Sequence, residues 1–523
     1  MLCPELVVDN FRQLTTMSGS RCRGKSVDGN DEGCGQFMDS VRTIPQIHGR
    51  NPAGENDAAP FETAPASPGP RFMVVAKPDS ALPVKLLAVT LFTQLFTDAP
   101  ASYSYFRLLP RFIFALVLFT AISRRSNAPA DSRRVSRSPS VFMILFASIC
   151  TISWILGGND FGAVVPFRWL ITLYNLIFFP YVTYFLVKKT KYDRGVLVTL
   201  LKFIALVGVY LTINGYFEHY VIGSLVFPKY ILDRHFGDQG NRLQGPFANS
   251  NHMGHWMILM FVVMGLLGQV RKRPVGPMWQ LFRLMVVGAI YFSETRAIWL
   301  EFAAILIITL SLGGQKYRRQ AVAVLVLIAI GFVAGVGSKF SLGEGTLFSK
   351  RSNTVDYREV NARVAYRIGM DNFLFGAGYG SFAKKWRSYF LESDKAMVRD
   401  LTSGNESTYY GLFAETGIIG LLLYFSMLGC LLKALISIWR RLSPAMDFER
   451  DFVLTSIALV LMAVIHGWFG DLRFSLATNT MVFMFAGIAV SIGEGNIADR
   501  GSERLVPGPG QVSDRSGAQN ADR

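Results

Sequence analysis

Two arginines one helical turn apart, Arg363 and Arg367, lie in a polar interval from Lys339 to Thr408 that also holds a Gly-rich turn and Glu406. Residues four apart share a helix face. The stretch REVNARVAYRIGMDN, from Arg358 to Asn372, therefore presents both guanidiniums together, where they can grip one anion through charge-assisted N–H donors. Val360, Val364 and Ile368 form a separate apolar stripe on the same helix. The following FLFGAGYGSF, Phe373 to Phe382, could offer backbone N–H groups, but no strand precedes it and it lacks the Lys of a phosphate loop. Gly376, Gly378 and Gly380 therefore read as serving a tight turn. Glu406 opens NESTYYGLFAETGIIGLLLY, Asn405 to Tyr424, and is a carboxylate able to take a proton from an attacking hydroxyl.

Two further arginines stand beside turns. Arg242 begins RLQGPFANSN, a Gly-Pro turn flanked by amides, and Arg296 belongs to SETRA with Glu294 two residues away. A guanidinium at a membrane edge is costly without a partner or ligand, and arginines stabilise phosphate charge bidentately without a metal. The plainer readings are snorkelling or ion-paired anchors for Arg242 and Arg296, a solvated helix face for Arg363 and Arg367, and a structural carboxylate for Glu406. His252 and His255 fall one turn apart but lack a third ligand or a HExxH pattern, so they read as a satisfied interfacial pair and no metal is expected. His466 falls in a short turn with Asp471 and Arg473, and nothing in its spacing assigns it to the site.

The elements that must position these residues are built for lipid. About twelve apolar segments of roughly 17 to 22 residues follow one another, each near the length of a hydrocarbon core. They fall near 81–97, 105–122, 139–157, 167–187, 195–215, 250–268, 276–293, 297–313, 320–338, 409–438, 451–468 and 476–493. The segment 409–438 is long enough that it must tilt, kink or run past the bilayer. The expected fold is an all-α integral membrane protein with one large helical loop, 339–408, between the ninth and tenth spans.

Orientation follows from the short connectors, because cytoplasmic loops hold the excess of Lys and Arg. Every second connector is basic: Arg124, Arg125, Arg133, Arg134 and Arg137; Lys188, Lys189, Lys191 and Arg194; Arg271, Lys272 and Arg273; Lys316, Arg318 and Arg319; Arg440 and Arg441. Intervals 216–249, 339–408 and 466–475 then face outward, and an even span count puts both termini in the cytoplasm. The net charge of +16 is thereby mostly topology, and nucleic-acid binding becomes an unnecessary reading. The polar, aperiodic composition of 1–72 and 496–523 predicts disordered tails, with Met73 an alternative start directly ahead of the first span. Cys3, Cys22 and Cys34 lie in the first tail without metal spacing, and Cys150 and Cys430 in apolar spans, so no disulfide framework is implied.

The order and spacing of RLQGPFANSN, SETRA, RVAYRIGMDNFLFGAGYGSF and NESTYYGLFAETGIIG resemble the O-antigen ligase and polymerase family of bacterial envelope glycosyltransferases over roughly Tyr216 to Leu423, a core of 216–423 within a membrane domain of 81–493. The resemblance implies about a dozen spans in the bacterial inner membrane and a periplasmic loop between late helices. It also implies a donor glycan on undecaprenyl diphosphate, transferred with inversion to a glycan or lipid A core hydroxyl without a cofactor. Arg242 and Arg296 would then carry the diphosphate charge, with Arg363 and Arg367 as the loop contribution. Ligases of this family resemble one another in a His followed by Asn where this chain has Glu406 and Ser407, which favours a polymerase of O-antigen or exopolysaccharide repeats over a ligase. A transporter or flippase of lipid-linked sugars would also use about twelve spans, but should show repeated halves and polar groups near the midplane. The sequence shows no repeat, and its polar groups cluster on one face.

Overall fold

The computed structural model describes residues 89, 92, 95, 137–157, 173, 177–190, 192–232, 242–270, 276–333, 352–391, 394 and 407–505. The chain divides into Met1–Met73 and Val74–Arg523, and every described residue lies in the second unit. The expected tail 1–72, the last part 506–523 of the expected tail 496–523, the span 105–122, most of 81–97 and Glu406 lie outside the described residues, whereas 496–505, expected to be disordered, continue the last helix to Leu505.

Among the described residues there are helices and turns and no strand. We number the helices α1 Arg137–Leu156, α2 Phe179–Lys188, α3 Arg194–His219, α4 Ser250–Val270, α5 Pro277–Phe292, α6 Arg296–Leu312, α7 Gln315–Val333, α8 Ser352–Asp371, α9 Phe382–Tyr389, α10 Thr408–Arg441, α11 Asp447–Phe469 and α12 Leu476–Leu505. Six contain segments long and apolar enough to cross a bilayer: Ser138–Leu156, Arg194–His219, Ser250–Val270, Thr408–Arg441, Asp447–Phe469 and Leu476–Gly495. The chain is a multi-pass helical membrane protein.

Burial sorts these segments into layers. The apolar windows of α4 and α12 are each 94% buried and that of α11 72%, against 33% for α1 and 39% for α10. A helix apolar on every side belongs inside a bundle, so α4, α11 and α12 form the centre, while α1 and α10 keep an apolar face free for lipid. Close approach at the centre uses small residues: a side chain at Gly265 of α4 would collide with Tyr317 of α7, and one at Gly254 with Ile298 of α6. At one end Asp451 of α11 accepts the Gly314 N–H at 2.9 Å and a bond from the Gln269 side chain of α4, tying two helices to the α6–α7 turn.

The long segment α10 kinks. Gly417 adopts φ 67° and ψ −168°, a backbone conformation open essentially to glycine. Such a break leaves carbonyls before it and N–H groups after it without helical partners. The Gly-rich stretch supplies them: Ala377 N–H bonds the Ala414 carbonyl at 2.8 Å, Gly378 N–H the Glu415 carbonyl at 3.2 Å, and the Phe373 carbonyl accepts from Ile418 N–H at 2.8 Å. From Ile418 to Arg441 the helix rises roughly 36 Å, enough to span alone. The extra length of this segment is therefore absorbed by a break, and its first turns belong to the loop side.

Candidate functional site

The residues that precede α4 and the turn between α5 and α6 are sewn together. Leu243 N–H bonds the Phe292 carbonyl at 3.0 Å, and the Ser250 hydroxyl meets the Thr295 hydroxyl at 3.2 Å. Glu218, at the end of α3, accepts Gly245 N–H at 2.8 Å and Gln244 N–H at 3.1 Å, while the Tyr230 hydroxyl donates to the Pro246 carbonyl at 2.6 Å. Gly245 takes φ 59°, as the Gly-Pro turn requires. Arg242 is partly buried one residue before this pinned segment, and Arg296 is exposed at the first position of α6. Two arginines distant in sequence thus stand on neighbouring, hydrogen-bonded turns at one end of the bundle.

The large loop packs on its own small core. Val360, Val364 and Ile368 of α8 are buried with Ala377, Phe382 and Trp386, and Trp386 donates its indole N–H to the buried Asn361 side chain at 2.6 Å. Burying each such aliphatic side chain contributes about 1.5–3 kcal/mol, which suffices to hold a short amphipathic helix in place. Arg363 is exposed and pairs with Glu359 one turn earlier. Arg367 is half-buried, donates to the Asp394 carboxylate at 2.6 Å and also bonds the Tyr389 carbonyl at 3.2 Å. Burial pushes the Asp394 carboxyl up, but its bond from Arg367, the Leu391 N–H and the Arg367 charge outweigh that and hold it below the usual range. Both loop arginines therefore rest on carboxylates of the loop itself.

The N–H groups of the Gly-rich turn face α10. Besides the two main-chain bonds to Ala414 and Glu415, Phe382 N–H donates to the Glu415 carboxylate at 3.0 Å. A side chain at Gly376, where φ is 72°, would strike the backbone of Glu415 and Thr416. Glycine is needed there for close approach of two backbones. Glu415 also pairs with Arg473, whose guanidinium bonds Asp471 at 2.7 to 3.1 Å; Arg473 is 1% exposed. Burial lowers the Arg473 pKa and the two carboxylates raise it, and the carboxylates prevail. This buried triad fastens the loop, α10 and the α11–α12 turn to one another. Arg473 was legible only as a charge in a short turn; its partner Glu415 lies 58 positions away.

Glu406 lies outside the described residues, but the chain immediately after it is fixed. The Ser407 hydroxyl donates to the Gly467 carbonyl at 2.8 Å, and both N–H and hydroxyl of Thr408 donate to the Gly470 carbonyl at 3.1 and 3.0 Å.

One cluster differs from the expectation for the histidines. His466 is not in a turn: it is buried in the last turn of α11. His255 does not act as an interfacial pair with His252 but is fully buried, and the third member is Glu301 of α6, a residue the sequence reading passed over. Its Oε1 lies 2.8 Å from His466 Nδ1 and its Oε2 3.0 Å from His255 Nε2. A lone carboxylate inside the apolar run RAIWLEFAAILIITLSL was the available signal.

Residues 281–425 match the family model described as O-antigen ligase. Compared with curated proteins, the chain finds no match. The matched segment is O-antigen ligase-like, as the motif order implies, and runs from α5 through the SETRA turn, the large loop and the α10 kink. It takes in Arg296, Arg363, Arg367, Glu406 and Glu415, and leaves Arg242, His255, His466 and Arg473 on flanking elements.

Proposed function

We propose that this chain is an inner-membrane glycosyltransferase of the O-antigen ligase and polymerase type, acting at the periplasmic face with both termini in the cytoplasm. The donor is a glycan on undecaprenyl diphosphate and the acceptor a sugar hydroxyl. The observation that supports this most is the O-antigen ligase match across 281–425, coupled to the convergence of the Arg242 and Arg296 turns at the end of the bundle that carries the matched loop.

In the proposed reaction the acceptor oxygen attacks the anomeric carbon as the bond from that carbon to the diphosphate oxygen breaks, inverting the centre. The electron pair leaves with the diphosphate, and the hydroxyl proton passes to the Glu406 carboxylate. Arg242 and Arg296 stabilise the growing negative charge with paired N–H donors, which is the role of preorganised electrostatics in group transfer. Arg363 and Arg367 contribute by exchanging Glu359 and Asp394 for phosphate oxygens as the lipid headgroup arrives. No metal is required for this step, because the arginines carry the charge of the leaving group.

Glu406 and Ser407, in place of the His and Asn of ligases, favour chain polymerisation of O-antigen or exopolysaccharide repeats. The ligase description of the matched family supports the second reading, transfer of finished glycan to lipid A core. The size of glycan on the lipid carrier separates them. In cells whose only copy is Glu406→Gln, a polymerase leaves single repeat units, whereas a ligase leaves long glycan stranded on undecaprenyl diphosphate. Wild-type glycan in both respects would remove Glu406 from the chemistry and the case for polymerase with it.

A further inference from the structure

We propose that His255, Glu301 and His466 bind a divalent transition cation of the zinc class inside the bundle, beneath the outward ends of α4, α6 and α11. All three side chains are buried, and one ligand atom from each lies within 4.8 Å of the others. The two nitrogen-to-oxygen separations are 3.0 and 2.8 Å. Ligands about 2.0–2.1 Å from a tetrahedral zinc stand roughly 3.3 Å apart, so the triangle needs only a small expansion to close on an ion. Two imidazoles and one carboxylate form a familiar three-ligand set for zinc.

Three further observations separate this cluster from a hydrogen-bonded latch. His255 Nε2 and Glu301 Oε2 face each other at 3.0 Å as an ion pair that is poorly aligned for a hydrogen bond, and both atoms are shut off from solvent. A poorly aligned polar contact in an apolar bundle is weaker than a well-directed one, and a cation held between the two atoms would satisfy both lone pairs. Second, the far nitrogen of His255, Nδ1, lies 3.1 Å from the Thr478 hydroxyl of α12. Metal-bound histidines are held in this way, with the second nitrogen fixed by an outer partner that sets tautomer and ring plane. Third, Glu301 is fully buried and its two ion-pairing partners are both imidazoles. With neutral rings the cluster holds one uncompensated negative charge in a low-dielectric interior. A divalent cation compensates it, and neutral imidazole is the form that ligates.

The position is about 7 Å below the first residues of α4 and α6, counted along the helix rise. An ion there ties the ends of three helices that carry Arg296, the RLQGPFANSN segment and the anchor of Ser407. It lies within the bundle, whereas the proposed diphosphate contacts sit on the turns above, and it stands independently of the glycosyl-transfer reading.

The test reads metal directly. Purified full-length protein in detergent is stripped with a chelator, titrated with zinc(II) alone or cobalt(II) alone, desalted and analysed for bound metal. Wild type should retain one equivalent per chain, show the intense visible bands of low-symmetry cobalt, and unfold at a higher temperature with zinc than without. Glu301→Gln should lose all three responses. Thr478→Ala leaves every ligand in place and should weaken zinc binding by about tenfold, with Thr478→Ser restoring it; this pair guards against a ligand variant that fails to fold. Wild type that retains no more zinc than Glu301→Gln, or Thr478→Ala indistinguishable from wild type, would overturn the proposal and leave the cluster a hydrogen-bonded latch.

Discussion

At the scale of single residues, Arg473 is the side chain on which the loop end of the bundle is assembled. Its guanidinium is 1% exposed and satisfied by Asp471 and Glu415, and Glu415 in turn holds the Phe382 N–H. Removing one member of such a buried set leaves the others charged without compensation, at a cost of about 3–5 kcal/mol. Arg473→Ala should therefore lower thermal stability in detergent by a large step and expose the 373–382 segment to protease. The paired Arg473→Met and Glu415→Leu change, which removes the guanidinium together with one of its two carboxylates and leaves only Asp471 charged, should recover part of the loss; a single variant as stable as wild type would show the triad to be idle. The arginine and carboxylate types were legible in the sequence, whereas their pairing was not. Glu415 and Arg473 are 58 positions apart, and Glu301 and His466 are 165 apart. No local period encodes such contacts, which arise only once helices pack.

At the scale of elements, the sequence carried most of the helices because hydropathy and length are local properties. The expected 250–268 appears as Ser250–Val270 and the expected 276–293 as Pro277–Phe292, and the apolar stripe of α8 is the face it buries. The interior of 409–438 was legible only as excess length. Its resolution at Gly417 depends on a distant segment, FLFGAGYGSF, accepting and donating the hydrogen bonds the broken helix lacks. Gly417→Ala places a Cβ 2.4 Å from the Leu374 backbone in a conformation costing about 1–3 kcal/mol for a non-glycine residue. It should loosen the Gly-rich turn and reduce glycan product while the protein still reaches the membrane. Gly429→Ala, in the same helix with open space around it, should be neutral or slightly stabilising. Equal behaviour of the two variants would mean that the kink has no part in positioning the loop.

At the scale of the whole molecule, the account depends on one face of the membrane holding the matched loop and the Arg242 and Arg296 turns. A periplasm-active phosphatase fused at Gly380 should be active and one fused at Lys316 silent, because Lys316 lies in a basic connector and the Gly-rich turn in a charge-alternate one. The structure joins the two arginine-bearing turns by hydrogen bonds, and the family match covers the loop, yet glycosyl transfer from a lipid diphosphate is a claim about chemistry. Its most direct test is reconstitution of purified protein with lipid-linked repeat units, followed by measurement of released undecaprenyl diphosphate. Wild type should release it in step with glycosidic bond formation, Arg296→Ala should abolish release, and Arg296→Lys should rescue poorly because a point charge lacks the planar fork. Full release by Arg296→Lys would contradict the bidentate role, and intact lipid-linked donor after incubation with wild-type protein and acceptor would contradict the account itself.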